Sequence, residues 1–126
     1  MNDMIFPLVP VRFIWNKNRT PIIDALLDSG SDNILIPINL SEDLGLSLKE
    51  LPIPIGTAGG NRKGFETRCD FEFGRGGRVE SYPNLQINVI DSTDSPVLIG
   101  RDPIFKDFKV VFEESLERIT LQKVKG

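Results

Sequence analysis

Two apolar runs stop abruptly at turns, and between them they constrain this chain more than any other feature. Ala25-Leu26-Leu27 runs into Asp28-Ser29-Gly30-Ser31-Asp32, and much later Val97-Leu98-Ile99 runs into Gly100-Arg101-Asp102. A short unbroken apolar run bounded by turn residues reads as a strand buried on both faces. A carboxylate at the end of such a strand is carried to the rim of the core. Gly30 behind it permits a tight turn that aims backbone N–H groups, and the Ser29 hydroxyl, at its surroundings.

The rest of the chain reads mostly as short strands. Leu8 to Trp15 puts Val9, Val11, Phe13 and Trp15 on one face, and Thr20 to Leu27 returns from the turn Asn16-Lys17-Asn18-Arg19 as the other arm of a hairpin. Asn33-Ile34-Leu35-Ile36 resumes after the Asp28 turn. Pro37 to Leu44 reads as one short helix, with proline in its first turn, Leu40 and Leu44 on one side and Gly45 as the stop. Leu51 to Ala58 is extended, Gly59-Gly60-Asn61 is the strongest turn signal, and Phe65, Thr67, Cys69, Phe71 and Phe73 alternate with polar residues. These make a long hairpin tipped by glycines.

Another turn is expected at Gly74-Arg75-Gly76-Gly77-Arg78, then a strand marked by Leu85, Ile87 and Val89 and a polar loop from Asp91 to Ser95. Asp102 is expected to cap a short helix that starts at Pro103 and turns Ile104, Phe105 and Phe108 inward. Val110–Phe112 and Ile119–Leu121 close the chain as a hairpin around Glu113-Glu114-Ser115. Many short strands with one or two short helices mean an all-β barrel or sandwich.

Composition narrows the chemistry. The 126 residues are one domain's worth, 1–126, with 40% hydrophobic and 26% charged residues. A net charge of −3 without a basic run argues against nucleic-acid binding. The chain has no histidine, which removes Ser-His and Cys-His catalysis and most zinc sites, so neither metal nor other cofactor is expected. Its single cysteine, Cys69, forms no internal disulfide, and no apolar run is long enough for a membrane span or shaped like a signal peptide. A cytoplasmic location without a membrane partner is the corresponding expectation. Peptide hydrolysis without metal, histidine or cysteine leaves chiefly a pair of close carboxylates that share one proton. The ionised carboxylate takes a proton from water, and the protonated one polarises the carbonyl.

Leu27-Asp28-Ser29-Gly30-Ser31 resembles the active-site motif of aspartic proteases, and Val97-Leu98-Ile99-Gly100 resembles their second hallmark. The order of the two, the glycine-tipped hairpin between them and the chain length are similar to the retropepsin-like (retroviral-type) branch, in its cellular and prokaryotic members. The resemblance covers roughly Leu8 to Leu121. It implies a closed acid-protease barrel with its active site at a homodimer interface, acting on a polypeptide substrate. It implies that Asp28 is catalytic, that the Ser29 hydroxyl bonds across the dimer axis, and that the Gly30 carbonyl faces the substrate. It also implies that Gly56, Thr57, Ala58, Gly59 and Gly60 form a substrate-covering flap, although Thr57 and Ala58 stand where many flaps carry an apolar residue.

From the same resemblance, Asp32 and Arg101 are expected to form a buried ion pair, whose loss on one side would cost about 3–5 kcal/mol. Ser31 is expected to bond an outer oxygen of the Asp28 carboxylate and so favour activity in acid. Val9, Arg12, Ile34 and Ile99 are candidates for the substrate pocket. Only one Asp-Ser/Thr-Gly occurs in the chain, so a carboxylate dyad requires a symmetric homodimer. Two further readings remain open: a catalytically inactive dimer of the same fold acting as a peptide-binding or assembly module, and an unrelated β-barrel binding protein.

Overall fold

In the computed structural model, which describes residues 8–28, 30–75, 78–113, 115 and 118–124, the main sheet closes on itself as a barrel. Its staves are β1 (Leu8–Trp15), β3 (Ile23–Leu27), β10 (Leu98–Ile99), β4 (Leu35–Pro37), β9 (Arg78–Ile90) and β8 (Gly64–Arg75). β1 closes the ring by pairing twice, through residues 8–11 with β3 and through residues 11–14 with β8. Short strands β2 (Asn18–Arg19) and β5 (Lys49–Glu50) lie at the sheet's two ends. The expected all-β barrel is therefore present, and alternation explains its filling. Val9, Val11 and Phe13 from β1, Ala25 and Leu27 from β3, Cys69, Phe71 and Phe73 from β8, and Ile87 and Val89 from β9 are all buried. Cys69 is wholly enclosed, and burial raises its thiol pKa to about 12, so it acts as a small core residue.

The first hairpin forms as expected, but its returning arm is interrupted. Thr20 bonds Phe13 through backbone and hydroxyl, with Thr20 N–H donating to the Phe13 carbonyl at 2.9 Å and Phe13 N–H donating to Thr20 Oγ1 at 3.1 Å. Pro21 then offers no N–H, and pairing resumes only at Ile23. Helix α1 (Ile38–Leu44) begins one residue later than expected, because Pro37 remains extended (ψ 154°) as the last residue of β4. Gly45 ends it in the left-handed region at φ 72°.

Asp102 does not cap a helix. The backbone at Asp102 is extended (φ −103°, ψ 126°) within a helical turn at Arg101–Phe105 that has no side-chain cap. Ile104 and Phe108 are buried as expected and Phe105 is half-buried, but Phe108 turns inward from the next strand and not from the helical turn. β11 (Phe108–Glu113) and β12 (Arg118–Lys123) form the expected last hairpin, a separate two-stranded sheet docked by an edge-to-face contact of Phe108 on Phe73 at 5.2 Å. Glu114 and the turn residues Gly76 and Gly77 lie outside the described residues. Among the described residues, no helix is long and apolar enough to cross a membrane.

Candidate active site

β3 and β10 lie side by side in parallel, with Leu26 opposite Leu98 and Leu27 opposite Ile99. The two apolar runs of the sequence are thus neighbours, and the turns that end them meet. Asp28 N–H donates to the Ile99 carbonyl at 2.9 Å, Arg101 N–H to the Ser31 carbonyl at 2.8 Å, and Asp102 N–H to the Asp32 carbonyl at 3.1 Å. Within the first turn, Ser31 N–H donates to the Asp28 carbonyl at 3.1 Å and Gly30 N–H to Asp28 Oδ1 at 2.9 Å. The half-buried Asp28 carboxylate is therefore oriented by a backbone donor two residues on. A Cβ on Gly30 would lie 3.2 Å from that same oxygen. Ser29, with its expected bond across a dimer axis, lies outside the described residues.

Gly100, the glycine that ends the second apolar run, underlies the whole loop. Its backbone is extended (φ −83°, ψ −166°), a conformation open to any residue. The requirement for glycine is spatial: a Cβ there would lie 2.5 Å from the Asn33 carbonyl oxygen, 2.6 Å from the Ser31 carbonyl oxygen and 2.7 Å from the Asn33 nitrogen. The sequence signal was a glycine directly after a buried strand, but its neighbour across the fold could not be read from that.

Three expectations are corrected here. The Ser31 hydroxyl donates to the Asn33 carbonyl at 3.0 Å instead of to the Asp28 carboxylate, because the turn brings that carbonyl within its reach. The acid preference argued from Ser31 loses its support. Arg101 does reach Asp32, with Nη2 to Oδ1 at 2.5 Å, but the pair is not buried. The side chains are 61% and 78% exposed, since the loops meet through their backbones and leave these charges facing water in the single chain. Replacing Arg101 by alanine is therefore expected to cost at most about 1 kcal/mol of stability, in place of a buried pair's penalty. Urea denaturation of the two proteins under monomeric conditions measures this directly. Finally, of the four pocket candidates Val9, Ile34 and Ile99 are buried core residues, and only Arg12, half-buried with its Nε donating to the Thr20 carbonyl at 3.0 Å, keeps surface. Val9 shares the buried face of Val11 and Phe13, so its strand period already pointed inward.

The candidate flap residues fall on a hairpin of their own, β6 (Ile55–Thr57) and β7 (Gly60–Arg62), a two-stranded sheet outside the barrel. Ile55 faces Arg62, Gly56 faces Asn61 and Thr57 faces Gly60, leaving Ala58-Gly59 as the tip. Thr57 Oγ1 donates to the Gly60 carbonyl at 2.5 Å, and Gly60 has φ 116°. Residues 56–62 are all exposed. The hairpin is seated at its base, where Ile55 covers the buried Gly64: a Cβ on Gly64 would lie 2.6 Å from Ile55 Cδ1.

The sequence model of the aspartyl protease family matches residues 9–102, from β1 through the turn that follows β10. The chain belongs to the aspartyl protease family. The matched span of this protease-family chain holds both the Asp28 loop and the Gly100 segment that grips it, and leaves the β11–β12 hairpin outside. Its fold is that of retropepsin-like proteases. It is similar to a retropepsin-like aspartic protease from Rickettsia conorii, with TM-score 0.60 and 17% identity over 84% of this chain and 83% of that one. It is also similar to the retroviral protease-like domain of Ddi1 from Leishmania major, with TM-score 0.55 and 14% identity over 98% of this chain and 97% of that one. No curated protein matches the chain.

Proposed function

We propose that this chain is an aspartic endopeptidase, one domain spanning residues 1–126, that works as a symmetric homodimer on polypeptides. The observation that carries this is Asp28 itself: a half-buried carboxylate at the end of a core strand, held by Gly30 N–H and by a loop pinned to β10, and occurring once per chain. Two copies meeting at a two-fold axis supply two such groups, which hold a single proton between them. The ionised Asp28 takes a proton from water as its oxygen attacks the peptide carbonyl carbon. The protonated Asp28 of the second copy gives its proton to the carbonyl oxygen. Collapse of the tetrahedral species then breaks the C–N bond as the first Asp28 passes the proton it took from water to the nitrogen. The second Asp28 takes one back from a hydroxyl of the tetrahedral species, which restores the starting pair. No metal or cofactor takes part in this scheme.

The β6–β7 hairpin is the flap of this proposal. Gly56 and Gly59 support the assignment, because neither has a positive φ, and among the described residues a Cβ on them would meet nothing closer than 3.7 Å and 4.0 Å. Backbone conformation and internal packing leave glycine unexplained at both positions, whereas the close approach of an extended substrate backbone accounts for it. Asp32 and Arg101 brace the Asp28 loop from outside.

The test is cleavage of an unfolded protein such as casein between about pH 3 and 8, wild type against Asp28→Asn, with the dimer followed by sedimentation. Activity lost only in Asp28→Asn, with its dimer intact, is the expected result. A dimer without activity in either protein would favour the peptide-binding module. Equal activity in both would overturn the role of Asp28.

A further inference from the structure

We propose that Arg62 selects substrates with an acidic side chain near the scissile bond, an inference that rests on reading β6–β7 as the flap. Directly opposed residues of an antiparallel pair project to the same face, and Arg62 is directly opposite Ile55. Ile55 faces the barrel, because its Cδ1 covers Gly64. Arg62 therefore leaves the hairpin on its barrel-facing side, as do Thr57 and Gly60 two positions along, while Gly56 and Asn61 face the other way. The side that would lie on a bound chain thus offers one aliphatic group, one hydroxyl and one cation.

The hydroxyl is already engaged with the Gly60 carbonyl, which leaves the cation as the group with unused capacity. Arg62 is exposed and makes no hydrogen bond or ion pair among the described residues. Its neighbour Lys63 pairs with Glu50 at 4.0 Å, and Arg101 pairs with Asp32. Flap closure would strip water from the Arg62 guanidinium. A carboxylate beneath it offers two parallel acceptors in the geometry the guanidinium fork matches, whereas a neutral or basic side chain leaves it dry and unpaired. Discrimination comes as much from that unpaired state as from the favourable pair.

The experiment uses fluorogenic peptides identical except for one flanking residue, set to Glu, Gln or Lys at each of three positions on either side of the bond. The expected wild-type result is a kcat/KM about fivefold higher for Glu than for Gln at one or two positions, a ratio that shrinks in high salt. The ratio should fall to near one in Arg62→Ala and reverse towards Lys in Arg62→Glu. An unchanged ratio in Arg62→Ala overturns the inference while leaving the protease reading intact. Absence of turnover in wild type, or turnover that survives Asp28→Asn, is instead a failure of the protease reading. In that event, fluorescence anisotropy of the same peptides on Asp28→Asn, with and without Arg62→Ala, reads the charge preference as binding. A Glu preference that disappears with Arg62 sustains the inference, and one that persists, or no preference at all, ends it.

Discussion

Replacing Gly100 by alanine should unseat the loop that carries Asp28, lowering stability by about 3 kcal/mol and activity by at least about a hundredfold. The added Cβ would fall 2.5–2.7 Å from three backbone atoms of Ser31 and Asn33. None of these is the movable end of a side chain, so the strain is relieved only by moving the 31–33 segment or β10. β10 is a barrel stave with Ile99 fully buried, and it is held by β3 and β4 on its two sides. The loop is the softer partner, and its displacement stretches the bonds from Arg101 and Asp102 to Ser31 and Asp32. For a domain of this size the stability loss corresponds to a thermal midpoint lower by about 10 °C. A midpoint within about 2 °C of wild type would show that the loop yields freely and that Gly100 does not position the site. Gly30→Ala is the informative contrast. Among the described residues its Cβ would meet only the Asp28 carboxylate, at 3.2 Å, so it should turn that carboxylate and reduce cleavage with far less effect on the midpoint.

That contrast marks where the sequence ceased to be readable. Strand periodicity is a local signal, and it located β1 and β8, because Val9-Val11-Phe13 and Cys69-Phe71-Phe73 bury every second residue. Gly45 as a helix stop is equally local. The barrel depends on pairings between distant segments, β3 with β10 in parallel and β1 with β8, and periodicity is silent on those. The apolar run into Gly100 was visible, but its partner, the backbone of residues 31–33, was not. The contact between Asp32 and Arg101 followed from resemblance to a family, whereas its burial depends on what packs outside the loop. Ser31 shows the finest scale of the problem. Its hydroxyl had two acceptors within a few residues, the Asp28 carboxylate and the Asn33 carbonyl, and the course of the turn decided for the second.

Subunits carrying Asp28→Asn should poison wild-type subunits when the two are refolded together. Asparagine is close to aspartate in size and removes a like charge from the proposed axis, so mixed dimers should form as readily as pure ones. A mixed dimer holds one carboxylate and one amide. The amide neither shares the proton nor passes it to the substrate carbonyl, so water activation and carbonyl polarisation are no longer both supplied. Random pairing of equal amounts leaves about a quarter of the dimers with two carboxylates, and cleavage should fall to about a quarter of that from the same total of wild-type chains. If each chain worked alone, the same mixture would retain about half. Refolding from denaturant ensures exchange, and two affinity tags of different mass report the mixed dimer directly. A quarter, with mixed dimers present, supports a site assembled from two Asp28 carboxylates. One half, with mixed dimers equally present, would mean that each chain works alone around its own Asp28, and the second proton-handling group would then have to be sought within the same chain; about three quarters would mean a shared site satisfied by either carboxylate.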